Sequence, residues 1–239
     1  MLRSISFTLM ILFTLILKAQ ETVTFPSKDG LTITADEYID DAEFPYMILC
    51  HQAGFSRGEY INTAMRFQKF GYNCLAVDLR SGKEINGITN ETAVLASKKR
   101  KPTAYLDAEQ DILAAIDHIY KKTNKKVILV GSSYSASLVL KIAAGNDKVK
   151  AVLAFSPGEY FGDKLNVKEA IRLIDKPVFV TSSKEESSAV SALMKDVKNK
   201  SQFTPSNTGD HGSKALWKET NPNYHEYWMA LLMFMRGLN

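Results

Sequence analysis

The chain has 239 residues, of which 45% are hydrophobic and 23% charged, with two cysteines, four histidines and a formal net charge of +4. Residues 1–19 hold Arg3 and Lys18 and no acid, so the remainder carries 28 basic against 26 acidic side chains, a balance too even for a nucleic-acid or polyanion binder. That remainder, about 220 residues, suits one α/β domain with a sizeable core, and no repeat, low-complexity tract or Pro/Gly-rich linker divides it.

At the start, Arg3 precedes an apolar run from Ile5 to Leu17, closed by Ala19. A basic n-region, a short apolar stretch and a small residue describe a secretory signal peptide, and the run falls short of the ~20 residues a membrane span needs. The expectation is cleavage after Ala19 and an extracytoplasmic domain, periplasmic or secreted, over residues 20–239; a retained N-terminal anchor is the alternative. No cysteine follows the apolar run, so a lipid-modified terminus is not indicated.

Glu21–Pro26 and Leu31–Ile39 alternate around Ser27-Lys28-Asp29-Gly30 and predict an antiparallel pair at a sheet edge. Tyr46–Cys50 predicts a buried strand. Ser56-Arg57-Gly58-Glu59 has the spacing of a capping box and predicts a helix ending at Gly71. The strand Asn73–Leu79 follows, then a long polar loop to Pro102. After Thr103, the residues Ile112, Leu113, Ile116, Ile119 and Tyr120 form the stripe of a helix laid on a sheet. Lys126–Val130 predicts a buried strand and Ala136–Ala144 a buried helix. Then come a strand at Val149–Phe155, a helix at Val167–Ile174, a strand at Pro177–Thr181, a helix at Ala189–Lys198 and a short last strand at Gln202–Thr204. Tyr224, Tyr227, Trp228, Leu231, Leu232 and Met235 recur at helical steps and close the chain.

Such alternation predicts a doubly wound, mainly parallel sheet with antiparallel N-terminal strands, whose ligand site lies at the carboxyl ends of the strands. On adjacent parallel strands, Cys50 and Cys74 would be offset by about three residues, roughly 10 Å, too far for a disulfide, and both are expected as buried free thiols. The histidines show no metal-ligand spacing.

The turn between the strand at 126–130 and the following helix is Gly131-Ser132-Ser133-Tyr134-Ser135. In that strand-turn-helix setting it resembles the nucleophile elbow of the α/β-hydrolase family, with Ser135 where the family usually has Gly. His51-Gln52-Ala53-Gly54 is similar to the family's oxyanion loop, with Gln52 in place of a glycine. The resemblance implies Ser133 as nucleophile and the backbone N–H groups of Ala53 and Tyr134 as oxyanion donors, Gln52 being the alternative donor. His51 is expected to position this loop rather than to move protons. Asp78-Leu79-Arg80-Ser81-Gly82 is similar to the turn after the family's fourth strand, and Asp78 and Arg80 are expected to pair beneath the site.

In this family the triad acid follows the strand that comes second after the elbow, where Glu185 and Glu186 both stand; spacing favours Glu186, with Glu185 as the alternative. His211, in Thr208-Gly209-Asp210-His211-Gly212-Ser213, follows in the order nucleophile, acid, base. His118 and His225 fall off their helices' apolar stripes and are expected at the surface. Loops 80–103 and 156–166, with Asn86, Tyr105, Tyr160 and Phe161, are expected to shape the substrate site, and Glu159 either binds a cationic group or is a surface acid.

The whole chain after residue 19 looks closest to the dienelactone-hydrolase-like serine esterases, with little or no cap domain. That resemblance implies hydrolysis of a small carboxylic ester through an acyl-enzyme, without metal or organic cofactor, nucleic acid or stable membrane insertion. A peptidase or amidase on the same scaffold and a non-catalytic binding protein are the alternatives.

Overall fold

The computed structural model describes residues 20–238, so the expected signal peptide lies outside the described residues. The first two strands, β1 (Glu21–Pro26) and β2 (Thr32–Tyr38), form the expected antiparallel edge. They are followed by β3 (Tyr46–Cys50), α1 (Ile61–Gln68), β4 (Asn73–Val77), a small hairpin of β5 (Glu84–Ile85) and β6 (Ile88–Thr89), α2 (Glu91–Lys98) and α3 (Glu109–Thr123). The second half runs β7 (Val127–Ser132), α4 (Tyr134–Ala143), β8 (Val149–Phe155), α5 (Val167–Ile171), β9 (Val178–Thr181), α6 (Ser187–Leu193), β10 (Lys200–Phe203) and α7 (Tyr224–Arg236).

Eight strands form one sheet in the order β1-β2-β4-β3-β7-β8-β9-β10. From β4 to β10 every neighbouring pair is parallel, whereas β1 with β2 and β2 with β4 are antiparallel. Period-2 alternation divides the core between the two faces. Met47, Leu49, Ile128, Val130 and Leu153 join Phe67, Trp228 and Leu231 of α1 and α7 on one face. Ile48, Cys50, Leu129, Val152 and Ala154 join Ile112, Ile116, Leu138 and Ile171 of α3, α4 and α5 on the other. Because both faces are covered, the central strands read as continuous apolar runs. In the β3–β4 register Met47 faces Cys74 and Cys50 faces Val77, so the two buried, free cysteines stand three residues apart.

Several elements differ from expectation. The segment 80–103 is not a plain loop but carries the hairpin and α2, whose buried residues are only Thr92 and Ala96, too few to leave an apolar stripe. Ser56 does cap, accepting from Gly58 N at 3.1 Å, but it opens a 3-10 turn at Arg57–Tyr60 before α1 begins. Glu59 does not return to Ser56 to complete a capping box; it turns inward. Leu113 is exposed, and the buried stripe of α3 is Ile112, Ala115, Ile116 and Ile119 with Asp111. Asp78 and Arg80 do not pair with each other. Arg57 takes Asp78, at 2.7 Å, while fully buried Arg80 forks onto Asp111 and reaches Asp29 in the β1–β2 turn. Burial pushes Asp78 up to about 6 against the pull of Arg57.

Candidate active site

The exits of β3, β7, β8 and β9 converge at the carboxyl edge of the sheet, where a doubly wound fold exposes its loops. At the centre is Ser133, between β7 and α4, with φ 60° and ψ −124°. A non-glycine residue is rarely found there, and the cost is of order 1–3 kcal/mol. Two neighbours enforce it. The Ser133 amide donates to Phe155 O at 2.8 Å, and Gly131 lets α4 lie so close to β7 that a Cβ at that position would stand 2.6 Å from the Ala136 Cα. Ser135, where glycine was expected, is more than a small filler. Its hydroxyl accepts from Ser132 N at 2.9 Å and lies 2.7 Å from the Cys50 carbonyl, tying the elbow to the end of β3.

The loop after β3 is held by His51. Its Nδ1 donates to Gln52 O at 2.8 Å, and its Nε2 accepts from Leu79 N at 2.9 Å. A carbonyl can only accept and an amide only donate, so the ring is neutral and protonated on Nδ1; burial lowers its pKa to about 4. Across a trans peptide the C=O and the next N–H point in opposite directions. By fixing Gln52 O, His51 therefore aims the Ala53 N–H the other way. Neither Ala53 N nor Tyr134 N, the first amide of α4, has an acceptor among the described residues. The alternative donor, Gln52 N, is already engaged, donating to Glu59 Oε2 at 2.7 Å.

The two adjacent glutamates separate cleanly. Glu186 receives His211 Nδ1 at 2.5 Å on one oxygen, and Ser156 Oγ at 2.6 Å and Ser183 N at 3.2 Å on the other. Burial works against its charge, but the bonds from His211 and Ser156 prevail and hold its pKa below the ordinary value. Glu185 is exposed. Among the described residues the Nε2 of His211 has no hydrogen-bond partner and is the free face of the ring.

Sequence reasoning passed over Ser156, in the left-handed region at φ 53° just past β8. Its hydroxyl bridges Glu186 and Gly212 N, the latter at 2.9 Å, and so joins the acid to the histidine loop. Its position at a strand exit was the only signal available. Of the residues expected to shape the substrate site, Tyr160 faces Ser133: its hydroxyl donates to Ser156 O at 2.8 Å and stands against the Ser133 hydroxyl. Tyr105 stacks on Tyr134 at 4.5 Å between ring centres, Asn86 ties the hairpin to Gly58 O, and Phe161 belongs to the core. Glu159 caps α5, accepting from Val167 N and Lys168 N at 2.8 and 2.9 Å, and is thereby spoken for. His225 is exposed, but His118 is half-buried and stacks on Phe25.

Among the described residues no cluster of His, Cys, Asp or Glu is arranged to hold a metal ion, and no helix is long and apolar enough to cross a membrane. The arrangement offers a strained serine hydroxyl at a strand exit, an imidazole backed by a carboxylate, and two free amides, which are the parts needed for acyl transfer.

Known structures share this architecture. An esterase from Pyrococcus furiosus superposes with a TM-score of 0.68 at 17% identity, over 92% of this chain and 93% of that one. A dienelactone hydrolase from Anabaena variabilis gives 0.68 at 15% identity over 91% and 95%, and an esterase domain from Rhodothermus marinus gives 0.60 at 14% over 91% and 98%. At such identities the likeness shows the α/β-hydrolase fold alone. No curated protein sequence matches the chain. The profile of the dienelactone hydrolase family, however, matches residues 40–204, from the approach to β3 through β10. With its fold and most of its length accounted for, the chain belongs to the dienelactone hydrolase family, hydrolases of the α/β fold that act on small-molecule esters.

Proposed function

We propose that the protein is an extracytoplasmic serine esterase working through an acyl-enzyme, with Ser133 as nucleophile, His211 as base and Glu186 as the triad acid. The observation that carries this reading is the strained elbow at Ser133 lying in the same strand-exit cluster as the His211–Glu186 hydrogen bond. Ser133 Oγ attacks the acyl carbonyl while His211 Nε2 takes its proton. Glu186, bonded to Nδ1–H, keeps the ring in that tautomer and stabilises the imidazolium. The Ala53 and Tyr134 amides receive the oxyanion without having to reorient, because His51 and the helix start already fix them. His211 then protonates the departing alkoxide, and a water it deprotonates releases the acid and restores Ser133. The Tyr160 ring borders the acyl site.

A fluorophosphonate probe tests the reading. It should label the folded domain of residues 20–239, fail on Ser133→Ala, and be accompanied by turnover of short-chain p-nitrophenyl esters in preference to matched amides. Folded wild type that stays unlabelled overturns the enzyme assignment, and faster amide cleavage makes the protein an amidase. The exported protein should begin at Gln20; a mature N-terminus at Met1 overturns the secretory part.

A further inference from the structure

Glu59 is a fully buried acid that takes no part in the proton transfers assigned to Ser133, His211 and Glu186. It sits in the 3-10 turn Arg57–Tyr60, which is anchored by the Arg57–Asp78 ion pair and by Tyr60, whose hydroxyl donates to Cys50 O at 2.8 Å. Among the described residues no lysine or arginine pairs with it. Its partners are instead three segments of the candidate site. Gln52 N, one residue before the Ala53 donor, gives its proton to Oε2 at 2.7 Å. Ser213 Oγ, two residues past His211, gives its proton to Oε1 at 2.5 Å. The hydroxyl of Ser132, which immediately precedes the nucleophile, faces the same carboxylate and itself accepts from Ser213 N at 2.9 Å.

We propose that Glu59 is a positioning residue for the Ser133 reaction, its carboxylate clasping the oxyanion loop, the nucleophile elbow and the histidine loop in one register. The inference rests on the proposed roles of Ser133 and His211. A carboxylate suits the task because it offers two oxygens with about four acceptor sites and no competing donor. It can take three donors from three directions at once; an amide has a single acceptor atom. The consequence for the oxyanion loop is direct. Gln52 O is held by His51 and Gln52 N by Glu59, so both peptide planes around Gln52 are fixed, and the Ala53 N–H with them. Burying an acid without a cation is costly to stability, and an apolar residue would fill the space at less expense, which points to geometry as the reason for its presence. His211, Tyr60 and Cys50 are the titratable groups that face the carboxylate, and Glu219 shares with it a cavity of about 280 Å³ lined by Asn62, Asn86 and Trp217.

The test compares Glu59→Leu and Glu59→Gln with wild type on a p-nitrophenyl ester at about pH 8, where the carboxylate is ionised, and well below each variant's Tm. Glu59→Leu should lower kcat by about 10²-fold, the scale of one misaligned oxyanion donor, with KM little changed. Fluorophosphonate labelling should slow in parallel, because phosphonylation also places charge in the hole. Glu59→Gln, which keeps one acceptor for Gln52 N, should lose less. If Glu59→Leu is unfolded, Glu59→Gln decides: wild-type kcat in a folded variant overturns the clasp. An unlabelled wild type would instead overturn the assignment of Ser133. Amide hydrogen exchange at Gln52 and Ser213 then judges the clasp by itself: it should accelerate in either variant, and unchanged exchange refutes it.

Discussion

Replacing Glu186 by Gln removes a charge while barely changing shape, and the hydrogen bonds around it set the effect on catalysis. The carboxylate accepts from Ser156 Oγ and Ser183 N on one oxygen and from His211 Nδ1 on the other. An amide has one oxygen, and the two donors on the Ser156 side compete for it. Its NH₂ is then left facing His211 Nδ1, which must accept rather than donate. The ring shifts to the Nε2–H tautomer, and under the proposed mechanism Nε2 can no longer take the Ser133 proton. Loss of a triad carboxylate costs about 10⁴ in kcat. Here the pair is open to water, with the side chains of His211 and Glu186 43% and 32% exposed. Solvent partly restores the active tautomer, so the expected fall is about 10³- to 10⁴-fold, or about 4 to 5.5 kcal/mol. Glu185→Gln, at an exposed position, should leave kcat unchanged. Ester hydrolysis is measured alongside thermal unfolding, so that loss of fold is not mistaken for loss of chemistry. A folded Glu186→Gln protein retaining more than about a tenth of wild-type kcat, or a Glu185→Gln protein that loses activity, refutes the reasoning.

Burial raises the Glu59 pKa to about 7 from 4.5, so the folded chain binds that proton more tightly than the unfolded chain. Its contribution to stability is therefore greatest below pH 4.5 and is lost as pH rises to about 7, by about 3 kcal/mol at about 1.36 kcal/mol per unit. Urea titrations should show Glu59→Gln flattening that slope between pH 4.5 and 7, and an unaltered slope contradicts a buried, titrating Glu59. In Gly131→Ala the added carbon would meet Ala136 Cα at 2.6 Å and Ala136 N and Ser135 O at 2.7 Å, all backbone, so α4 must move off β7. The expected cost is about 1–3 kcal/mol with slower reaction at Ser133, and an unchanged Tm would show that the helix–strand contact is looser than these distances require.

What the sequence determined by itself is local. Apolar runs long enough for a strand, helical spacing and turn residues showed the order of the strands of the main sheet and of the helices packed on it, apart from the segment between β4 and α3. The glycine and serines of residues 131–135 marked the elbow because that geometry depends on side-chain size at neighbouring positions. The chain order of Ser133, Glu186 and His211 could be read for the same reason, since each follows a recognisable strand. The segment 80–103 escaped because α2 buries little and leaves no periodic stripe. Charge partners escaped for a deeper reason. Asp78 finds Arg57, and Arg80 finds Asp111 and Asp29, across separations that no local pattern encodes. Glu59 is the clearest case. Its spacing from Ser56 matches a capping box, and only the packing of the β3 loop, the elbow and the histidine loop around it supplies the donors, Gln52 N and Ser213 Oγ, that the inward-turned carboxylate accepts. Which of two adjacent glutamates meets His211 was settled in the same way: neighbours in sequence diverge in direction at a helix start, and only the fold decides that Glu186 faces the site while Glu185 faces water.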